Sequence, residues 1–259
     1  MPINEIIGFS SLIAIFNLDE RHFGTFSLSR PLVCGVIFGI ILKNFYVGLY
    51  VGVIMEMFTV NQLPVGNFIT PSGPVLAGLG IYLSNYYYQV MELGHIFPLI
   101  LLFSLFMGHV SKRVNRMLWV IDDFLVDKFI SQVQEGRIHF AFFNMISLGL
   151  SLVFFTVLSF GGIYLGILAI NSLSRLVMGD YLICDIMKYI TYYLPLFSMV
   201  YFLNISDVHG KIYLVLVGIA SAVILNFFHV KPIMIFISLT AVCFLFIFTW
   251  NFISVRLKL

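Results

Sequence analysis

Apolar residues run along this chain in long stretches, and the polar residues between them show no regular alternation of the kind that half-buried strands or a β-barrel require. The first stretch, Ile6 to Leu18, has 13 residues, short for the ~20 that cross a bilayer as a helix, so it is expected to be re-entrant or tilted. A polar connection from Asp19-Glu20-Arg21-His22 through Arg30 follows, and Pro31 then suits the first turn of a helix. Two half-length apolar runs, Val33 to Leu42 and Tyr46 to Val60, flank Lys43-Asn44. This pattern predicts a hairpin that enters and leaves on one side, or a broken span. Gly35 and Gly39 in the first run and Gly48 and Gly52 in the second stand four residues apart, the small-residue spacing that lets helices approach closely, and packing is the role expected of them.

Beyond Val60 the pattern fragments. Pro64, Gly66, Pro71, Gly73 and Pro74 fall within eleven residues, interleaved with Asn61, Gln62, Asn67, Thr70 and Ser72. Irregular backbone at membrane depth is tolerated only where protein covers it or water fills a cavity, which is where transporters place ligands. Val75 to Leu83 is apolar again, and Ser84-Asn85-Tyr86-Tyr87-Tyr88 reads as an interfacial aromatic cluster. Ile96 to Met107 leads to His109, Lys112, Arg113 and Arg116, the densest basic cluster, placed in the cytoplasm by the positive-inside rule. Over 114–133, Met117, Leu118, Ile121, Leu125 and Phe129 oppose Asp122, Asp123, Asp127 and Lys128 at helical spacing, predicting an amphipathic surface helix with the aspartates on its solvated face. Residues 140–170 carry no formal charge and are divided by Gly161-Gly162, giving one long tilted span or two short ones. Tyr189 to Leu203, which contains Pro195, then Ile212 to Val230 and Ile233 to Phe252 complete the apolar pattern, and the last hairpin faintly echoes the first.

Composition fits these spans. The chain is 61% hydrophobic and 10% charged, with mean hydropathy +1.04, against ~25% charged residues in soluble domains. The expected fold is an all-α integral membrane protein, a polytopic helical bundle with short or re-entrant hairpins and inverted repeats. It divides into a first half (1–110) with the broken substrate-binding helices, an interfacial connection (111–138) and a second half (139–259). A net charge of +2 without a basic run argues against nucleic acid. No phosphate loop, nucleophile elbow or zinc-protease motif occurs, and the three cysteines and six histidines are scattered, so neither an enzyme activity nor a metal or cofactor is expected. The N-terminus lacks the basic, cleavable pattern of a secretory signal, so the first apolar stretch is expected to stay.

Glu56 is the one charged side chain among residues 44 to 91. A carboxylate at bilayer centre costs at least ~3 kcal/mol, so such groups usually face a bundle interior or a substrate path. Ser29-Arg30-Pro31-Leu32-Val33, Gly39-Ile40-Ile41-Leu42, Gly48 to Met57, Pro64-Val65-Gly66 and Thr70-Pro71-Ser72 together resemble the membrane IIC subunit of the mannose/fructose/sorbose family of the bacterial phosphotransferase system. Arg113-Val114-Asn115-Arg116, the acidic helix and Glu135-Gly136-Arg137-Ile138 look like that family's central region. Ser72 stands where the family has an aspartate, and Leu194 to Asn204 lacks the glycines expected there.

The resemblance implies a sugar-translocating subunit in the bacterial inner membrane. It would work in a hetero-oligomer with a IID membrane subunit and soluble IIA and IIB phosphocarriers, which perform the phosphoryl transfer. It further implies that Glu56 contacts sugar hydroxyls, with Asn61, Gln62, Asn67, Thr70 and Ser72 completing the site. A carboxylate suits that task, since charge-assisted hydrogen bonds are about twice as strong as neutral ones. A degenerate relative that senses or regulates, and a proton-coupled secondary transporter that uses Glu56 as its relay, are the alternatives.

Overall fold

The computed structural model describes residues 3–23, 26–59, 69–88, 93–134, 140–179 and 181–205. Every regular element among them is an α-helix: α1 (Ile3–Arg21), α2 (Pro31–Ile41), α3 (Phe45–Thr59), α4 (Gly73–Tyr88), α5 (Leu93–Gln134), α6 (Phe140–Gly179) and α7 (Tyr181–Ile205). Among the described residues two stretches, Gly94–Val133 and Phe142–Arg175, are long and apolar enough to cross a membrane. The chain divides into two compact units, residues 1–191 and 192–259. The first holds α1 to α6 and the start of α7; of the second, only the α7 residues up to Ile205 are described. The last two apolar runs, and with them the echo of the first hairpin, lie outside the described residues.

Helix α1 continues past its apolar stretch. Asp19, expected in the connection, is 2% exposed and still helical. Its carboxylate accepts the backbone N–H groups of Phe26 (3.0 Å) and Ser29 (3.1 Å), which offsets the cost of burying it. At 19 residues α1 is about 28 Å long, close to the ~30 Å of a hydrocarbon core.

The two half-length runs form a pair of packed helices joined by a tight turn. Pro31 occupies the first turn of α2, and the chain reverses through Lys43, whose φ of 57° is left-handed, with Asn44 N–H donating to the Gly39 carbonyl at 2.8 Å. The four glycines form the α2–α3 contact. A Cβ on Gly35 would stand 2.7 Å from the Gly48 carbonyl oxygen and from Gly52 Cα, so any side chain there strikes backbone. At 11 and 15 residues, α2 and α3 are about 16 and 22 Å long, each short of a full span.

Helix α4 is the core element. Residues 73–84 are all buried, and α4 packs against α1, α2, α3, α5 and α6. Tyr87, expected at an interface, is buried and donates to Asn171 Oδ1 at 2.8 Å. Helices α5 and α6 pack on each other and run about 63 and 60 Å, twice a bilayer core. The connection expected at 111–138 is therefore, as far as Gln134, the distal half of α5, because a basic side chain does not interrupt a helix whose backbone hydrogen bonds are unaffected by it. Of the two arrangements open for 140–170, a single long helix is observed, with no break at Gly161-Gly162.

Candidate functional site

The start of α2, the C-terminal end of α3, the approach to α4 and the end of α1 are joined by side-chain hydrogen bonds and an ion pair. Glu56 sits in the last turn of α3, and its side chain is 21% exposed. One oxygen accepts the Leu32 N–H at 3.2 Å, in the first turn of α2, and the other stands 3.6 Å from Arg30 Nη1. Arg30 occupies the N-cap position of α2 without a capping side chain of its own, so Glu56 supplies that cap from the neighbouring helix and meets the positive end of its dipole. The carboxylate is thus held at a helix start and beside a guanidinium that is 42% exposed.

Thr70 and Ser72 lead into α4. The Thr70 hydroxyl donates to Glu20 Oε1 at 2.8 Å. Ser72 is completely buried and caps α4: its hydroxyl accepts the Val75 N–H at 3.3 Å and donates to Asn17 Oδ1 at 2.5 Å, while its own N–H reaches the Ser111 hydroxyl at 2.9 Å. A serine hydroxyl suits that position because it can accept from Val75 and donate to Asn17 at once. Asn61, Gln62 and Asn67 lie outside the described residues.

Four residues at the end of α1 were not anticipated here. Asn17, Asp19 and Glu20 hold Ser72, the 26–29 loop and Thr70, and Arg21 pairs with Asp122 of α5, which also accepts the Ser147 hydroxyl at 2.6 Å. The signal for the last three was the run Asp19-Glu20-Arg21-His22, which reads as a solvated turn when its partners are unknown. Just beyond the helix, His22 Nε2 is 3.3 Å from Ser151 Oγ. Its pKa is lowered, by burial first and the Arg21 charge next, against the pull of Asp122. Asp123 and Asp127 are exposed, as the amphipathic pattern predicts, whereas Asp122, expected with them on the solvated face, is half-buried by its bonds to Arg21 and Ser147. Among the described residues no three His, Cys, Asp or Glu side chains converge to hold a metal.

No family model, no curated protein and no solved structure matches the chain. What the arrangement can do follows from its chemistry alone. Two carboxylates, Glu20 and Glu56, can accept hydrogen bonds from hydroxyls, and Arg30 and Thr70 can donate them, at helix ends where backbone amides add further donors.

Proposed function

We propose that the chain is a membrane subunit that passes a sugar or related polyol across the bilayer, in the manner of the phosphotransferase IIC proteins it resembles. The observation that carries the reading is the Glu56 carboxylate, placed at the start of a half-length helix with a fifth of its side chain open and a half-exposed arginine beside it. Short helices whose N-termini face a polar centre are the arrangement transporters use for ligands. In this reading α5 and α6 span the bilayer, the α2–α3 hairpin is re-entrant, and the Lys112–Arg116 cluster lies on the cytoplasmic side. The sugar is handed to a IIB phosphocarrier, with a IID subunit as membrane partner, and Glu56, Thr70 and the 61–67 segment supply the polar contacts.

The test is hexose uptake by cells that express the chain with its IID, IIA and IIB partners. Glu56→Gln is expected to abolish uptake while leaving the protein in the membrane, and undiminished uptake ends the assignment. Uptake that depends on a proton gradient and not on phosphorylated IIB turns the reading to a secondary transporter.

A second reading has its own support in the two bonds Glu56 makes to Leu32 N–H and Arg30. In it Glu56 is a structural cap: Glu56→Gln, which keeps an acceptor for Leu32, leaves uptake and membrane protein intact, and Glu56→Ala loses both in proportion.

A further inference from the structure

Two helices carry a proline in their interior, Pro98 in α5 and Pro195 in α7. A proline offers no N–H to the carbonyl four residues before it, and in each helix that carbonyl is met by a side-chain hydroxyl from another helix. Pro98 leaves the Gly94 carbonyl, which receives the Thr191 hydroxyl of α7 at 2.5 Å. Pro195 leaves the carbonyl of Thr191 itself, which receives the Tyr50 hydroxyl of α3 at 2.8 Å. The Tyr50 ring lies on Phe97, one residue before Pro98, with centroids 5.2 Å apart. Thr191 therefore donates to α5 and accepts from α3.

Its hydroxyl also has a second acceptor, the Met187 carbonyl of its own helix at 3.0 Å. A hydroxyl carries one hydrogen and satisfies one acceptor fully at a time. The early part of α7 leaves Tyr181, Ile186 and Tyr189 exposed, so much of its surface lies off α5.

We propose that Thr191 is a two-position latch. Turned to Gly94, its hydroxyl clasps α7 to the start of α5; turned to Met187, it releases the Gly94 carbonyl and the start of α7 swings free. Tyr50 lies six residues before Glu56 on α3, so the latch reaches the helix that carries the central carboxylate. The device follows from the proline-freed carbonyls and stands whatever the chain transports.

Cys184 supplies a reporter on the same pair of helices, with Sγ 3.1 Å from His95 Nδ1. In the full chain carrying Cys34→Ala and Cys243→Ala, the rate at which N-ethylmaleimide alkylates Cys184 in membranes measures opening. Thr191→Val is expected to raise that rate about tenfold, and Thr191→Ser, which keeps the donor, to leave it within about twofold. Tyr50→Phe raises it as well. Pro98→Ala restores an N–H for Gly94, so adding Thr191→Val in that background changes the rate less than about threefold. Equal effects of Thr191→Val with and without Pro98→Ala, or no effect of Thr191→Val at all, overturn the latch. If Thr191→Val does not reach the membrane, Tyr50→Phe with and without Pro195→Ala, which restores an N–H for the Thr191 carbonyl, decides, and an unchanged alkylation rate in Tyr50→Phe refutes the proposal.

Discussion

The Arg30 guanidinium lies 3.6 Å from the Glu56 carboxylate, and the two bracket the first turn of α2, one as its N-cap residue and the other as the acceptor of its Leu32 N–H. The ion pair and the cap make different contributions. Arg30 is nearly half exposed, so screening holds the pair below about 1 kcal/mol. The cap bond is exposed too, and removing an N-cap acceptor typically costs about 1 kcal/mol.

Two substitutions separate these effects. Glu56→Gln keeps an oxygen for Leu32 and loses only the charge, so thermal unfolding in detergent should show a loss under about 1 kcal/mol. Glu56→Ala loses both and should cost about 2 kcal/mol. Equal losses would mean that the Leu32 bond contributes nothing.

The glycine pattern gives the sharpest contrast. A Cβ on Gly48 or Gly35 meets backbone of the facing helix, which cannot rotate away, so Gly35→Ala or Gly48→Ala should cost at least about 2–3 kcal/mol or block insertion. Gly149 and Gly161 of α6 have nothing within 4 Å of a built Cβ, and alanine there should stabilise the helix by about 0.5–1 kcal/mol. Melting temperatures of the four variants check this, and a benign Gly48→Ala removes the close α2–α3 contact.

Spacing made this hairpin legible: a proline start, a Lys-Asn turn and glycines four residues apart are local signals that the tertiary structure did not override. The length of α1 was not, because Asp19 and Arg21 look solvated until the 26–29 loop and Asp122 are brought to them. The union of two expected segments into α5 was missed for a related reason. Charged residues at 112–116 punctuate hydropathy without breaking backbone hydrogen bonds. At the site, Glu56 stood out by isolation, whereas its partner Arg30 and the hydroxyl acceptor Glu20 could be assigned only once the helix ends were joined. Ser72 was expected to face a ligand and is found buried as a cap, a role its type and its place before a helix also allow.

The Arg21–Asp122 pair should behave asymmetrically. Arg21 is 8% exposed and Asp122 is 32% exposed. Removing the acid strands a buried cation, so Asp122→Ala should cost about 3 kcal/mol or more, whereas Arg21→Met leaves a carboxylate that water and Ser147 can satisfy and should cost less. The double variant Arg21→Met with Asp122→Ala should recover much of the loss. Chemical denaturation of the four proteins tests this, and additive losses would refute it.

Stability should also depend on pH through His22. Burial first, and the Arg21 charge next, lower its pKa from the ordinary 6.5, so the folded chain resists a proton that the unfolded chain accepts. Above about pH 7 the imidazole is neutral in both states and contributes nothing to the pH slope. As the pH falls through about 6.5 the unfolded state binds its proton first, and stability declines until the lower folded pKa is passed, where the loss levels off. The melting temperature should therefore hold steady well above pH 6.5 and fall as the pH drops through about 6.5. His22→Gln, which keeps a partner for Ser151, should flatten that fall. Arg21→Met removes the second cause and should flatten it in part, and Asp122→Asn, which removes the opposing pull, should steepen it. Identical slopes in the parent and His22→Gln proteins would assign the titration to another group.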